Sequence, residues 1–150
     1  MTQEDILQII SKDPWMMDIL KVARSLNLPN WWIGAGFVRN KVWDYLHNFA
    51  NRTETDVDVI YFDPSDISES TEKQIDQKLK NFLPDIPWST KNMARMHLVN
   101  GDLPYQSSVD CFSRWPETAT CVAVKLDSTG DLILKAPHGI NDIVNLRIRM

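Results

Sequence analysis

Cysteine is nearly missing from this chain: Cys111 and Cys121 are the only two in 150 residues, without C-x-x-C spacing or clustered histidine. That excludes a disulfide framework, argues against a zinc site, and leaves reduced thiols as the default. Glycine is equally scarce, five residues in all, so no collagen-like or glycine-rich tract exists. No apolar run approaches the roughly 18 residues of a membrane span. The opening Met1-Thr-Gln-Glu-Asp-Ile carries neither the basic nor the apolar region of a secretory leader, so a cytoplasmic location without membrane attachment is expected. A basic excess is absent too. With 16 Lys+Arg against 20 Asp+Glu, the net charge is −4, which weighs against a large non-specific nucleic-acid surface and leaves room only for a local basic patch.

What is present is an ordinary globular balance, 43% apolar and 24% charged. The length supports one domain over residues 1–150 with a core of its own. The acids are skewed, with 15 Asp and 5 Glu. At that frequency about 1.5 Asp-x-Asp triplets arise by chance, so a carboxylate pair alone carries no weight.

Apolar spacing predicts helices over 3–11 and 14–26, divided at Asp13-Pro14 because Pro opens a helix but does not sit inside one. Trp31 to Ile33 reads as a short strand, Gly34-Ala35-Gly36 as a tight turn, and Phe37 to Phe49 as a helix. After a polar loop from Asn48 to Thr55, Asp56 to Phe62 alternates and then turns wholly apolar, a strand buried on one face early and on both late. Ser68 to Leu83 reads as a polar helix, Trp88 to Lys91 as a short strand, and Asn92 to Leu98 as helix or irregular. Ser107 to Arg114 is expected to be a short capped helix. Ala119 to Leu126 and Asp131 to Lys135 make a hairpin around Asp127-Ser-Thr-Gly130, and Ile140 to Met150 closes as a short helix or tail. The expected fold is α/β, in the α+β sense: a small mixed sheet of about five strands with helices mainly on one side. Trp15, Trp31, Trp43 and Trp88 are expected in the core, and Trp115 with Pro116 against a pocket.

The chemistry concentrates in strand, Gly34-Ala-Gly36, helix, then Asp56-x-Asp58 on the next strand. Glycines let backbone N–H groups approach a phosphate, and the helix beginning there points its positive end at the same place. Asp56 and Asp58, two apart on a strand, leave the same face. Such a pair suits divalent metals that bridge a triphosphate and activate an attacking oxygen. Arg39, three residues into the helix, is within reach of a phosphate oxygen. Lys91, Arg95 and Arg114 are candidates for a basic rim. His97 and His138 lack ligand-spaced partners and read as structural, hydrogen-bonded histidines.

The order Gly-Ala-Gly-Phe-Val-Arg-Asn, helix, Asp-Val-Asp-Val resembles the nucleotidyltransferase superfamily that includes DNA polymerase β and the CCA-adding enzymes. Gly36, Val38 and Arg39 match the Gly-Gly-x-Val-Arg-Asp segment of CCA-adding head domains; Ala35 interrupts the glycine pair and Asn40 replaces the Asp. Trp32 to Asp44, Asp56 to Asp63, Lys91 to His97, Trp115 to Ala119 and Ala136 to Gly139 also look like a small bacterial nucleotidyltransferase-like group. The resemblance implies a minimal nucleotidyltransferase core that moves a nucleoside monophosphate from an NTP to an acceptor hydroxyl. It implies Mg²⁺ on Asp56, Asp58 and a third acid, for which Asp110 stands first and Asp63 and Glu117 behind it. Gly34, Gly36, Arg39 and Asn40 would bind the substrate. CCA-adding enzymes hold tRNA with helical body and tail domains for which 150 residues leave no room, so a tRNA partner is not expected. With no obvious third acid, a nucleotide-binding or regulatory module that has lost its chemistry is the alternative, and a ligand-free adaptor the third reading.

Overall fold

The computed structural model describes residues 1–34, 36–48, 56–101, 103–114 and 121–144. Four helices start where the sequence supplies a cap. Thr2 and Asp5 form a reciprocal capping box at the head of α1 (Gln3–Ser11), satisfying two backbone donors that a helix start leaves open. Asp13 accepts the Met16 N–H at 3.1 Å, and Pro14 occupies the first position of α2 (Pro14–Ser25). Asp13 also takes Lys41 Nζ at 2.9 Å from α3 (Gly36–Leu46), tying the two helices together. Ser68 caps the 14-residue α4 (Glu69–Phe82).

Five strands, β1 (Trp32–Gly34), β2 (Val57–Tyr61), β3 (Trp88–Asn92), β4 (Ala123–Leu126) and β5 (Leu132–Lys135), form one sheet in the order β3-β2-β1-β4-β5. The β2–β3 pair, joined through α4, is parallel; the other three pairs are antiparallel. This is the mixed α+β sheet the sequence leads one to expect. β1 begins one residue later than the pattern suggests and includes Gly34, which matters for the site.

The period of two sorts the strands into two faces. Ile33, Val57, Val59, Tyr61, Val124 and Leu126 point into the main core, closed by Ile6, Ile10, Met16, Ile19, Leu20, Phe37, Val42, Leu79 and Ile143 from α1, α2, α3, α4 and α7 (Asn141–Val144). Most helices therefore cover one face. On the other face a smaller cluster joins Trp32, Ile60 and Ala123 to Met93, Tyr105, Cys111 and Phe112. The last two lie on α6 (Ser108–Phe112), capped by Ser107. The undecided stretch after β3 resolves as a turn followed by α5 (Met96–Asn100), ended by Gly101 at φ 74°. Trp15, Trp31 and Trp88 join the main core as expected. Trp43 does not: it is 39% exposed and stacks on His47 one helical turn later. Among the described residues no helix is long and apolar enough to cross a membrane.

Candidate functional site

The face of the sheet that carries the smaller cluster also carries the motif residues Gly34 and Asp58. Register places Gly34 beside Asp58, with Ser89 on the far side of Asp58 and Ala123 on the far side of Gly34. Asp56 precedes β2 by one residue, is exposed, and lies two residues before the half-buried Asp58, so both carboxylates leave the same face. Gly34 brings no Cβ onto that face, which keeps the ground beside Asp58 free of side chain. Two residues later α3 begins at the buried Gly36, so the positive end of an 11-residue helix starts next to the carboxylate pair. Ala35 lies outside the described residues.

Burial, then the neighbouring Asp56 charge, pushes the Asp58 carboxyl up to about 6, while Lys91 and Arg39 pull the other way. These opposing causes place Asp56, Asp58, Arg39 and Lys91 in one electrostatic neighbourhood. Arg39 and Asn40, both half-buried, sit in the second turn of α3, with Arg39 Nε donating to Asn40 Oδ1 at 3.2 Å. Gly34 thus pairs with Asp58, the charges of Asp56 and Arg39 act on its carboxyl, and Gly36 and Asn40 lie on α3 with Arg39.

The third acid does not join them. Asp110 Oδ2 accepts the Gln106 N–H at 2.9 Å, and its Oδ1 meets Arg114 at 3.2 Å, one helical turn on. Its carboxylate is held by residues flanking its own short helix, and it is not among the charges acting on Asp58. Asp63 follows the opposite end of β2, about 16 Å along the strand from Asp58 at 3.3 Å per residue, and accepts from Ser65. Glu117 lies outside the described residues, as do Trp115 and Pro116. Among the described residues no three His, Cys, Asp or Glu side chains are grouped to hold a metal. The basic rim divides similarly. Lys91 acts on Asp58, whereas Arg95 is committed to Glu72 and Glu69, and Arg114 to Asp110 and the Tyr105 ring. His138 Nε2 meets the Ser113 carbonyl, whereas His97 Nδ1 is buried and has no hydrogen-bond partner among the described residues.

A mixed sheet of this order, a glycine turn feeding a helix, and a carboxylate pair on the adjacent strand define a nucleotidyltransferase core. The chain belongs to the nucleotidyltransferase family: the family model described as "Nucleotidyltransferase" matches residues 21–150. It is also similar, at 36% identity and a TM-score of 0.87, to a solved NMR structure described as revealing a CCA-adding enzyme head domain. The match covers 98% of this chain and 78% of that one. No curated protein matches the chain.

Proposed function

We propose that the protein transfers a nucleoside monophosphate from an NTP to an acceptor hydroxyl, with Mg²⁺ as its metal. The observation that carries this is the pairing of Gly34 with Asp58, which sets a bare stretch of sheet and a helix N-terminus beside two carboxylates. The donor set suits Mg²⁺, a hard cation that takes oxygen ligands and keeps several waters. The charge of Asp56 and the burial of Asp58 both disfavour the ionised pair, and a divalent cation relieves that cost. Asp56 and Asp58 would hold the ion, which when bound supplies charge neutralisation across the phosphates and lowers the pKa of an attacking hydroxyl. The first N–H groups of α3 would receive phosphate oxygens, Arg39 would add a forked donor, and Asn40 would fix the Arg39 guanidinium.

The separate engagement of Asp110 favours a second reading, a module that binds the nucleotide without turning it over. Titration calorimetry of NTPs, with and without Mg²⁺, on wild type, Asp56→Asn and Asp58→Asn tests the binding that both readings share. Mg²⁺-dependent affinity that is lost in both variants is expected, and unchanged affinity in both would remove the proposal. Incubating the protein with labelled NTP and candidate acceptors then separates the enzyme from the module.

A further inference from the structure

A second feature lies away from Gly34 and Asp58, at the opposite end of β1. The C-terminal half of α2 and the β4–β5 hairpin enclose an open cleft of about 730 Å³, to which Lys21, Arg24 and Lys125 contribute. Lys125 Nζ lies 5.4 Å from the Trp31 ring centroid and 5.3 Å from that of Trp32. Two indoles thus fix where its charge sits. Among the described residues none of these three cations has a carboxylate within ion-pair distance. Asp127, the acid in the cleft wall, spends Oδ1 on the N–H groups of Thr129 and Asp131 and on the Thr129 hydroxyl, closing the hairpin turn. Arg24 gives one N–H to the Ser128 carbonyl at 2.8 Å, which leaves most of its five donors for other use. Three cations face one carboxylate here, Asp127, whose charge acts on Lys125; on a protein of net charge −4 this leaves a local positive excess that the overall balance does not require.

We propose that this cleft binds phosphate groups of a ligand other than the nucleotide at Asp58, through Lys21, Arg24 and Lys125. The volume is that of a small-ligand site, so it accommodates more than one phosphate. Burial lowers the pKa of Lys125, a cost that an incoming anion offsets. Alternation puts Lys125 on the same sheet face as Asp58. Two strand spacings and two residues of rise separate them, roughly 12 Å between Cα atoms. The inference stands on the cleft alone and does not require that Asp58 hold a metal.

The phosphates come either from a free polyphosphate or from a polynucleotide strand, and two probes separate these sources. Inorganic tripolyphosphate is followed by calorimetry and a labelled single-stranded oligoribonucleotide by anisotropy. Both are run in EDTA, so that a metal-dependent site contributes nothing. The variants are K21Q/K125Q and K21R/K125R, with Arg24 left in place because it holds the hairpin. Wild type is expected to bind at least one probe, K21Q/K125Q to bind it at least about tenfold more weakly, and K21R/K125R to bind it like wild type. If the ligand is the strand, loss of two cations lowers the salt-dependence slope by about 1.4. Binding in Asp58→Asn should equal wild type, which keeps failure here distinct from failure of the carboxylate site. No binding of either probe, undiminished binding in K21Q/K125Q, or equal loss in K21R/K125R would each overturn the proposal.

Discussion

Asp58 concentrates the electrostatic tension of the molecule in one side chain. Its carboxyl is pushed up to about 6, so the sign of its effect on stability is the reverse of the usual salt-bridged acid. The folded state binds the proton more tightly than the unfolded chain. Above about pH 7 the ionised group therefore costs stability, and that cost disappears as pH falls through 6 toward the unfolded value near 4. Two pKa units correspond to at most about 3 kcal/mol, and partial exposure reduces the expected figure to about 1 kcal/mol. Asp58→Asn should accordingly raise Tm by about 2–4 °C at neutral pH. The gain should shrink as pH falls through 6 and vanish below about pH 4. Melting curves of both proteins across this range check it; a gain that does not depend on pH would mean that Asp58 is not the source.

At the scale of elements, the parallel β2–β3 pair is held by a buried network that no short motif announces. Glu72, 4% exposed, accepts the Asn92 N–H at 2.7 Å and two N–H groups of Arg95, at 3.2 and 2.9 Å. Asn92, fully buried, donates to the Asp63 and Asp66 carbonyls and accepts from the N–H groups of Asp63 and Ala94. These contacts clip α4, the end of β2 and the turn after β3 to one another. Glu72→Ala removes an acceptor from a buried N–H and a counter-charge from Arg95, so a loss of about 3 kcal/mol is expected. Urea unfolding checks this, and a loss under about 1 kcal/mol would show that water replaces the carboxylate.

The same elements show what a sequence makes legible. The starts of α1, α2 and α4 are readable because Thr2, Asp13-Pro14 and Ser68 act on residues within one turn. The candidate site is readable because glycine turn, helix and Asp pair are close in the chain. Lys91 has nothing local to mark it as a neighbour of Asp58, and Lys21 and Lys125 line one cleft only because β4 pairs back along β1. Asp110 misled for the opposite reason. The residues flanking its own short helix, Gln106 and Arg114, satisfy it where it stands.

For the whole molecule, one sheet separates two cores with different duties. The larger, under most of the helices, takes Phe37, Val38, Val57 and Val59 from the motif segments but none of the candidate site residues. The smaller, around Trp32, Ile60 and Phe112, lies on the face that carries Asp58 and Lys125. Damage to the two should therefore have different consequences. Leu79 and Phe112 are both fully buried, and truncating either to Ala costs about 2–5 kcal/mol in cavity and lost transfer energy. Leu79→Ala opens its cavity on the far side of the sheet, so the folded protein should keep its affinity for Mg·NTP. Phe112→Ala removes the side chain through which α6 contacts Trp32, edge to face at 6.4 Å between centroids. Because Trp32 lies two residues from Gly34 on the same face of β1, its release should weaken ligand binding as well as the fold. Calorimetry on both variants, well below their melting temperatures, checks this partition. Equal affinity in Phe112→Ala and Leu79→Ala would mean that the smaller core supports the sheet without shaping the site.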